Sequence, residues 1–272
     1  EIPLRLVGSE MCIRDSRMTT PSWRASLVPW AVFLILFVVW EWAVAWSGIS
    51  ALVLPAPSAV MKSLWAAMSS GYLWPHVRAT LLELLLGLAG GGAMGLAMGI
   101  VLAESPLLER LLRPCVVVSQ VVPKLALAPL FVMWFGFGMT STVVITALIC
   151  FFPLMENTLT GLRQVDAQRL QLFRMLGATR WQTLRRLKVP AALPGILAGL
   201  RVAVVLALVG AVVGEFIGAS QGLGAVIIAT QGMMDTALMF AVLTVIAVIG
   251  LLLYQITLAI EKWLLRSYTD SP

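Results

Sequence analysis

Several ionisable side chains lie within or at the ends of long apolar stretches of the sequence, where a charge is costly and marks a candidate functional site. The strongest candidates among them are Glu83, Lys124, Glu156 and Glu215. Carboxylates in such places can carry protons, line the pathway of a solute, or pair with polar groups on neighbouring helices. If Glu83 and Glu156 face one pathway, its acidic lining disfavours an anionic solute, unless Lys124 neutralises one of them. We take all four as candidate pathway residues, with structural pairing as the alternative.

The usual catalytic and metal-binding patterns are absent from the sequence. No Lys follows a Gly, so the phosphate-binding loop GxxxxGK[ST] of nucleotide hydrolases does not occur. His76 is the single histidine, and Cys12, Cys115 and Cys150 do not have metal-ligand spacing. Gly218–Gly222 matches the GxSxG pattern of hydrolases, but it follows an apolar helix and the histidine lies in another loop. We therefore expect no catalytic residue, metal or cofactor in this chain.

The composition indicates a membrane protein that is entirely helical. Of 272 residues, 60% are hydrophobic and 12% are charged, whereas roughly a quarter of the residues in a soluble domain are charged. These values exclude an ordinary soluble enzyme. Stretches long enough to cross roughly 30 Å of hydrocarbon predict six transmembrane helices, at residues 27–46, 79–103, 111–134, 140–160, 194–217 and 237–260.

The positions of the basic residues predict the orientation of these helices. Segment 161–193 carries a cluster of basic residues, namely Arg163, Arg169, Arg174, Arg180, Arg185, Arg186 and Lys188. The other side of the membrane has only Lys62 and Arg78. Because cytoplasmic loops are enriched in Lys and Arg, segment 161–193 and both termini are predicted to be cytoplasmic. The net charge of +6 is then a topology signal rather than a nucleic-acid-binding surface.

Glycines recur at a four-residue interval along the second predicted span, at Gly87, Gly91, Gly95 and Gly99. Small residues at this spacing let helices approach closely inside a membrane. We expect this face to be a packing seam. In the loop before that span, apolar residues at helical spacing predict a short interfacial helix.

Segment 161–193 is too polar to span a membrane, but its pattern is that of two short helices. Leu170, Leu172, Phe173 and Leu176 form an apolar stripe, and Gly177 ends the first helix. A second helix is expected from Trp181 to the prolines Pro190 and Pro194. Such an element either lies on the lipid surface or inserts into a groove of a soluble partner.

Several local runs carry a resemblance to a known family. They are LPAPSAV from Leu54, PKLALAPLFVMWFGFG from Pro123, FFPLMENTLTGL from Phe151, GATRW from Gly177 with the later Leu193-Pro194 pair, and GEFIGASQGLG from Gly214. Between about Leu54 and Tyr268 the sequence resembles the membrane permeases of binding-protein-dependent ABC importers. The subgroup includes nitrate, sulfonate and taurine permeases and vitamin-precursor permeases. Where that family usually has Glu-Ala-Ala, this chain has Gln171-Leu172-Phe173, so the acidic residue is missing while the helix and glycine remain.

The resemblance implies a six-helix permease of the type I importer kind with a cytoplasmic coupling helix. It assigns coupling to the ATPase to Asp166, Leu170, Gln171, Leu172, Phe173, Gly177, Ala178 and Pro194. It also implies a second permease, either an identical copy or a close relative, with two cytoplasmic ATPases that bind ATP and Mg and a periplasmic or lipid-anchored solute-binding protein. The location implied is the inner membrane of a bacterial cell, with no nucleic-acid partner. The solute is expected to be a sulfonate, taurine or nitrate-type anion, or a pyrimidine or flavin-type vitamin precursor.

The N-terminal residues differ in composition from the remainder of the chain. Residues 1–17 lack the hydropathy of the apolar stretches beyond them, and Met18 opens a plausible start. We therefore expect 1–17 to be a non-native leader before one permease domain at 18–272.

The rival function is a secondary transporter driven by protons through the Glu residues. Such transporters often contain two repeated halves. No repeat relates the first three predicted spans to the last three, and a proton-driven transporter leaves the basic segment 161–193 unexplained.

Overall fold

The computed structural model describes the backbone of residues 23–269, and the side chains of residues 31–266 other than 33, 117 and 120. The expected leader 1–17 and Cys12 lie outside these residues. Within them every regular element is helical, and α1 forms one unit while the helices after Ile49 form another. In chain order the helices are α1 (Trp23–Ser47), α2 (Pro57–Ser69), α3 (Leu73–Glu104), α4 (Pro106–Val121), α5 (Ala128–Phe135), α6 (Met139–Arg163), α7 (Ala167–Met175), α8 (Arg180–Thr183), α9 (Val189–Gly218), α10 (Leu223–Gly232) and α11 (Thr236–Thr269).

The core of the larger unit is a layer of three helices in which α6 packs against α3 on one side and α9 on the other. Leu84 of α3, Cys150 and Leu154 of α6, and Ala207 and Ala211 of α9 are buried together where the three meet. Small residues occupy much of this contact. The three helices therefore approach each other at the level of their backbones.

The glycine face of α3 lies against the backbone of α6. A Cβ added at Gly95 would lie 2.5 Å from the carbonyl oxygen of Phe151, and one at Gly99 would lie 2.7 Å from that of Met155. A Cβ at Gly91 would lie 2.6 Å from the Cα of Ala147 and closer still to its carbonyl oxygen. No side chain fits at these positions, so this packing depends on glycine.

The predicted third span, 111–134, is wrong as a continuous helix. The chain starts α4 earlier, at Pro106, with Ser105 as its N-cap, and ends it at Val121. A 3-10 turn at Lys124–Leu127 then leads into α5. The break falls at Pro123 because proline has no N–H and pushes the residue before it into extended backbone, as seen for Val122.

Two other boundaries differ from the predictions. The second helix of segment 161–193 does not end at Pro190 or Pro194, because α8, a π-helical turn (Leu184–Lys188) and α9 follow one another without interruption. The π turn ends two residues before Pro190, whose missing N–H disturbs the helical ladder there. The expected loop 218–236 contains a helix of its own, α10.

Four helices in the described part of the chain are long and apolar enough to cross a membrane: Leu73–Glu104, Met139–Arg163, Arg180–Gly218 and Thr236–Arg266. Shorter apolar helices at Leu34–Ser47, Lys124–Phe135 and Leu223–Gly232 accompany them. The fold is thus a polytopic helical bundle, and the predicted number of six spans is not established by these lengths. The short helix predicted before the second span is present as α2.

The α3 packing can be tested with two adjacent glycines. Gly91→Ala should destabilise the protein by about 1–3 kcal/mol, since its methyl group would overlap the backbone of Ala147. Gly90 has nothing within 4 Å of an added Cβ, so Gly90→Ala should be neutral or stabilising by up to about 1 kcal/mol. Thermal unfolding in detergent, followed by tryptophan fluorescence, measures both. Equal melting temperatures for the two variants would contradict the packing described.

Candidate functional site

The helix α7 is a short, separately capped element between the ends of α6 and α8. Asp166 is its N-cap, and the side-chain oxygen accepts a hydrogen bond from the backbone N–H of Gln168 at 2.9 Å. At its C-terminal end the N–H of Ala178 donates to the carbonyl of Phe173 and that of Gly177 to the carbonyl of Arg174, both at 3.0 Å. These two bonds form a Schellman motif.

The Schellman motif places Gly177 at a φ of +68°. This left-handed conformation strains any residue that has a Cβ, so glycine suits the turn as the sequence predicted. An added Cβ at Gly177 would meet nothing within 4 Å. The requirement at this position is therefore for backbone conformation rather than for space.

The outer face of α7 and its turn exposes apolar side chains. Met175 is 86% exposed and Leu176 is 72% exposed, and Leu172 and Trp181 are also exposed. Leu170 and Phe173 are half-buried. The predicted apolar stripe is therefore divided, with one part turned inward and the other open. A cluster of exposed apolar residues on a polar segment indicates a surface that contacts another molecule.

Ion pairs hold the helix ends that flank α7 to the rest of the bundle. Glu109 of α4 accepts two hydrogen bonds from the guanidinium of Arg163, at the end of α6. Lys188, in the π turn, lies 2.5 Å from Glu104 at the end of α3. A displacement of α7 would therefore act on helix ends that are already joined.

A cavity of about 700 Å³ lies at the opposite end of the bundle from α7, between the start of α3, the start of α6 and the loop after α9. Its lining includes Trp74, Arg78, Glu83, Ser220 and Gln221. Glu83 is 3% exposed, whereas Arg78 is exposed. We call this space the Glu83 cavity.

The two buried carboxyls Glu83 and Glu215 are neighbours behind this cavity. Glu215, which is 1% exposed, also accepts bonds from the hydroxyl of Thr80 and the backbone N–H of Gly224, both at 2.6 Å. The Thr80 hydroxyl in turn accepts the N–H of Leu223 at 2.9 Å. Glu215 therefore joins α9 to α3 and to the start of α10.

The sequence analysis did not identify Thr80 as the partner of Glu215, or His76 as a residue that holds the loop after α9. His76 Nδ1 accepts the backbone N–H of Gly222 at 3.1 Å. Gly218–Gly222 is a loop between two helices rather than a strand-to-helix turn, and no hydrogen bond in the described part of the chain joins Ser220 to His76. This loop does not resemble the nucleophile arrangement of a hydrolase.

A second cavity, of about 650 Å³, lies beside the break between α4 and α5. We call it the Glu156 cavity, and Lys124, Phe152 and Asn157 also line it. The ammonium of Lys124 lies 4.1 Å from the centroid of the Phe152 ring, a cation–π contact. The candidate pathway residues thus fall into two places: Glu83 and Glu215 at one, Lys124 and Glu156 at the other.

Residues 91–269 match the protein family described as "Binding-protein-dependent transport system inner membrane component". The chain belongs to this family. It is 41% identical over 244 residues to the riboflavin transport system permease protein RibX of Chloroflexus aurantiacus, covering 90% of this chain and 91% of that one. The match to the formylaminopyrimidine transport permease protein ThiX of Halalkalibacterium halodurans is 37% over 241 residues, covering 88% and 95%. The taurine transport system permease protein TauC of Escherichia coli is 34% identical over 253 residues, covering 91% and 92%.

Solved ABC transporters have the same fold. The methionine ABC transporter MetNI in an inward-facing conformation superposes with a TM-score of 0.63 at 20% identity, over 71% of this chain and 97% of that one. The chain is therefore the permease subunit of an ABC importer, as the resemblance implied. Subunits of this inner membrane family act together with ATPases and solute-binding proteins. Nothing supports the proton-driven alternative.

The role of Asp166 in the permease can be separated into capping and charge. Asp166→Ala removes the cap, which should cost about 1 kcal/mol and speed amide exchange at the start of α7 about fivefold. Asp166→Asn keeps an oxygen that accepts the Gln168 N–H, so exchange should stay close to that of the parent protein. Hydrogen exchange with mass spectrometry measures both variants. If the Asn variant exchanges as fast as the Ala variant, the cap does not hold this helix end.

Proposed function

We propose that two copies of this permease line one translocation path and that two ATPase subunits dock on the α7 segments. The observation that carries this proposal is the exposed apolar surface of α7, Leu176 and Trp181 at the Gly177 turn. An amphipathic helix inserts its apolar face into a groove of its partner. ATP and Mg are bound by the ATPases, since this chain has no phosphate-binding loop.

The coupling mechanism follows from how α7 is attached. When ATP closes the ATPases, the docked α7 helices move with them. The motion passes through Arg163 to α4 and α6, and through Lys188 to α3 and α9. Because α3, α6 and α9 are in backbone contact, they move as one body and change the side on which the path is open. Asp166, Gln171 and Ala178 shape the docked surface, and Pro194 lies in the helix that continues from it.

The orientation proposed for the permease puts α7 and both termini in the cytoplasm. The basic residues of the 161–193 segment support this orientation, since Lys and Arg are retained on the cytoplasmic side. The Glu83 cavity then opens toward the solute-binding protein outside the membrane. The Glu156 cavity, with Lys124, lies on the route between the two ends.

The solute is a small organic molecule of the kind carried by the relatives. Their names include riboflavin and formylaminopyrimidine as well as taurine, and the acidic pair near the Glu83 cavity favours the nitrogen heterocycles over the anions. The test is a thermal-shift screen of the solute-binding protein encoded beside this gene against riboflavin, hydroxymethylpyrimidine, taurine, alkanesulfonates and nitrate. Binding raises the melting temperature. A shift with a heterocycle supports the proposal, and a shift only with an anion contradicts it.

The docking of the ATPase can be tested at Gly177. Gly177→Trp should abolish association with the ATPase and the stimulation of its activity, while insertion into the membrane is retained, because a bulky residue disfavours the left-handed turn. Gly48 is the matched control: its φ is +64° and an added Cβ also meets nothing within 4 Å. Gly48→Trp should leave ATPase association intact. Copurification of the ATPase with each variant is the measurement, and normal copurification with Gly177→Trp would overturn the docking site.

The proposed orientation can be tested by labelling single cysteines in a chain whose native cysteines are replaced by serine. Lys62 and Met175 are both exposed and lie at opposite ends of the bundle. With a membrane-impermeant maleimide on spheroplasts, Lys62→Cys should react and Met175→Cys should react only after permeabilisation. The reverse pattern would mean that the orientation is inverted.

A further inference from the structure

Two groups of opposite charge line the Glu156 cavity without pairing with each other. They are Lys124 and Glu156, and none of the ion pairs formed among the described residues includes either side chain. Glu156 is exposed and Lys124 is half-buried, so a molecule in the cavity can reach both. Charged side chains in membrane-spanning segments lie toward water-filled cavities rather than toward lipid. The two charges therefore favour a place on the aqueous path over a groove filled by lipid.

Local structure holds the Lys124 ammonium in place. Lys124 opens the 3-10 turn that follows Pro123, and the N–H of Ala126 closes this turn by donating to the carbonyl of Pro123 at 2.9 Å. The ammonium lies 4.1 Å from the centroid of the Phe152 ring on α6. Since an ammonium has three N–H donors, this contact leaves donors for a ligand. A group that is held in advance loses little entropy on binding.

The acceptor comes from the same helix that holds the ammonium. Glu156 follows Phe152 by one turn of α6, so the two side chains lie on one face of that helix. An ionised carboxylate only accepts hydrogen bonds, whereas an ammonium only donates them. The cavity thus presents a donor and an acceptor near one face of α6.

Much of the remaining wall is apolar. Ile149 of α6 and Val202, Leu206 and Val209 of α9 line the cavity beside the two charged groups. Small-molecule sites are mostly apolar, with a few polar groups that set the orientation of the ligand, and a volume of about 650 Å³ is in their range. A solute that fills this space needs an apolar body with a polar edge.

The two charges discriminate among classes of solute. A sulfonate or nitrate anion is repelled by Glu156, and a cation is repelled by Lys124. A zwitterion such as taurine matches both charges, but its short body covers little of the apolar wall. An uncharged heterocycle with an N–H beside a carbonyl oxygen or ring nitrogen satisfies both groups, and its ring covers the wall. Riboflavin and hydroxymethylpyrimidine both carry such an edge.

We propose that the Glu156 cavity is a solute subsite of the permease for an uncharged nitrogen heterocycle. Lys124 donates a hydrogen bond to a carbonyl oxygen or ring nitrogen of the solute, and Glu156 accepts one from the adjacent N–H or amino group. This inference rests on the proposed function and names the two residues that give the permease itself a preference among solutes.

The test uses the complete importer, reconstituted into proteoliposomes with its ATPase and binding protein, with riboflavin, hydroxymethylpyrimidine and taurine as probes. Lys124→Met removes the donor and Glu156→Met removes the acceptor, and both substitutions keep a long unbranched side chain. Glu156→Gln is the conservative variant, since its amide oxygen still accepts a hydrogen bond. Solute moved per ATP hydrolysed is the readout, because a purely structural defect lowers ATPase activity and transport together.

We expect each Met variant to lower the heterocycle moved per ATP by about tenfold, the effect of losing a hydrogen bond to a charged group. Glu156→Gln should stay within about threefold of the parent importer, and all three variants should keep their stimulated ATPase activity. Lys262→Met is the control. Lys262 is exposed near the end of α11 and is not part of this cavity lining, so its removal should leave the ratio unchanged.

Three results would overturn the subsite. The Met variants could move as much heterocycle per ATP as the parent importer, they could lose ATPase activity and transport in proportion, or the parent importer could move taurine and neither heterocycle. Failure of the proposed function has a different signature: the parent complex would move none of the three probes in an ATP-dependent manner. In that case the proposed function, and the subsite with it, is wrong.

Discussion

Direct contact between helix backbones is the constraint on which the rest of this structure depends. Inside a membrane there is no hydrophobic drive to bring helices together, so they associate through close packing and hydrogen bonds. The glycines of α3 allow that contact with α6, and small residues of α9 complete it on the other side. The result is a layer of three closely packed helices. It links the α7 segment at one end to the Glu83 cavity at the other.

The polar groups of the bundle are placed where this layer ends. At the α7 end, Glu104 and Glu109 pair with Lys188 and Arg163. At the other end, Glu215 accepts hydrogen bonds from Thr80 of α3 and from the backbone N–H of Gly224 at the start of α10. Farther from these ends, Arg201 of α9 pairs with Glu261 of α11. Pairing thus accounts for most of the ionisable side chains at the two ends of this layer.

Much of the fold could be predicted from the sequence because it depends on local properties. Apolar length located the long helices, and the four-residue glycine interval located the packing face. The break at Pro123 was also available in principle, since a proline inside an apolar run disfavours a continuous helix. Helix α10 was harder to predict, because its ten residues are too short to stand out as a span.

The sites were predicted unevenly, for a physical reason. The turn at Gly177 could be identified from one residue, and the structure confirms its left-handed backbone. For Asp166 the structure adds a capping role that the resemblance did not supply, while its part in coupling stays a prediction. The partners of Glu215 could not be found in this way. Thr80 is 135 residues away and reaches Glu215 only through the packing of two helices. The separation of Glu83 from Glu156 into two cavities likewise follows from tertiary structure.

The central claim is that this permease moves its solute only when an ATPase acts on α7. The most direct measurement is uptake of the solute bound by the cognate binding protein into proteoliposomes, with and without the ATPase, in the presence of ATP. We expect uptake only when permease, ATPase and ATP are all present, with no effect of a protonophore. Uptake by the permease alone, driven by a pH gradient and abolished by the protonophore, would contradict it.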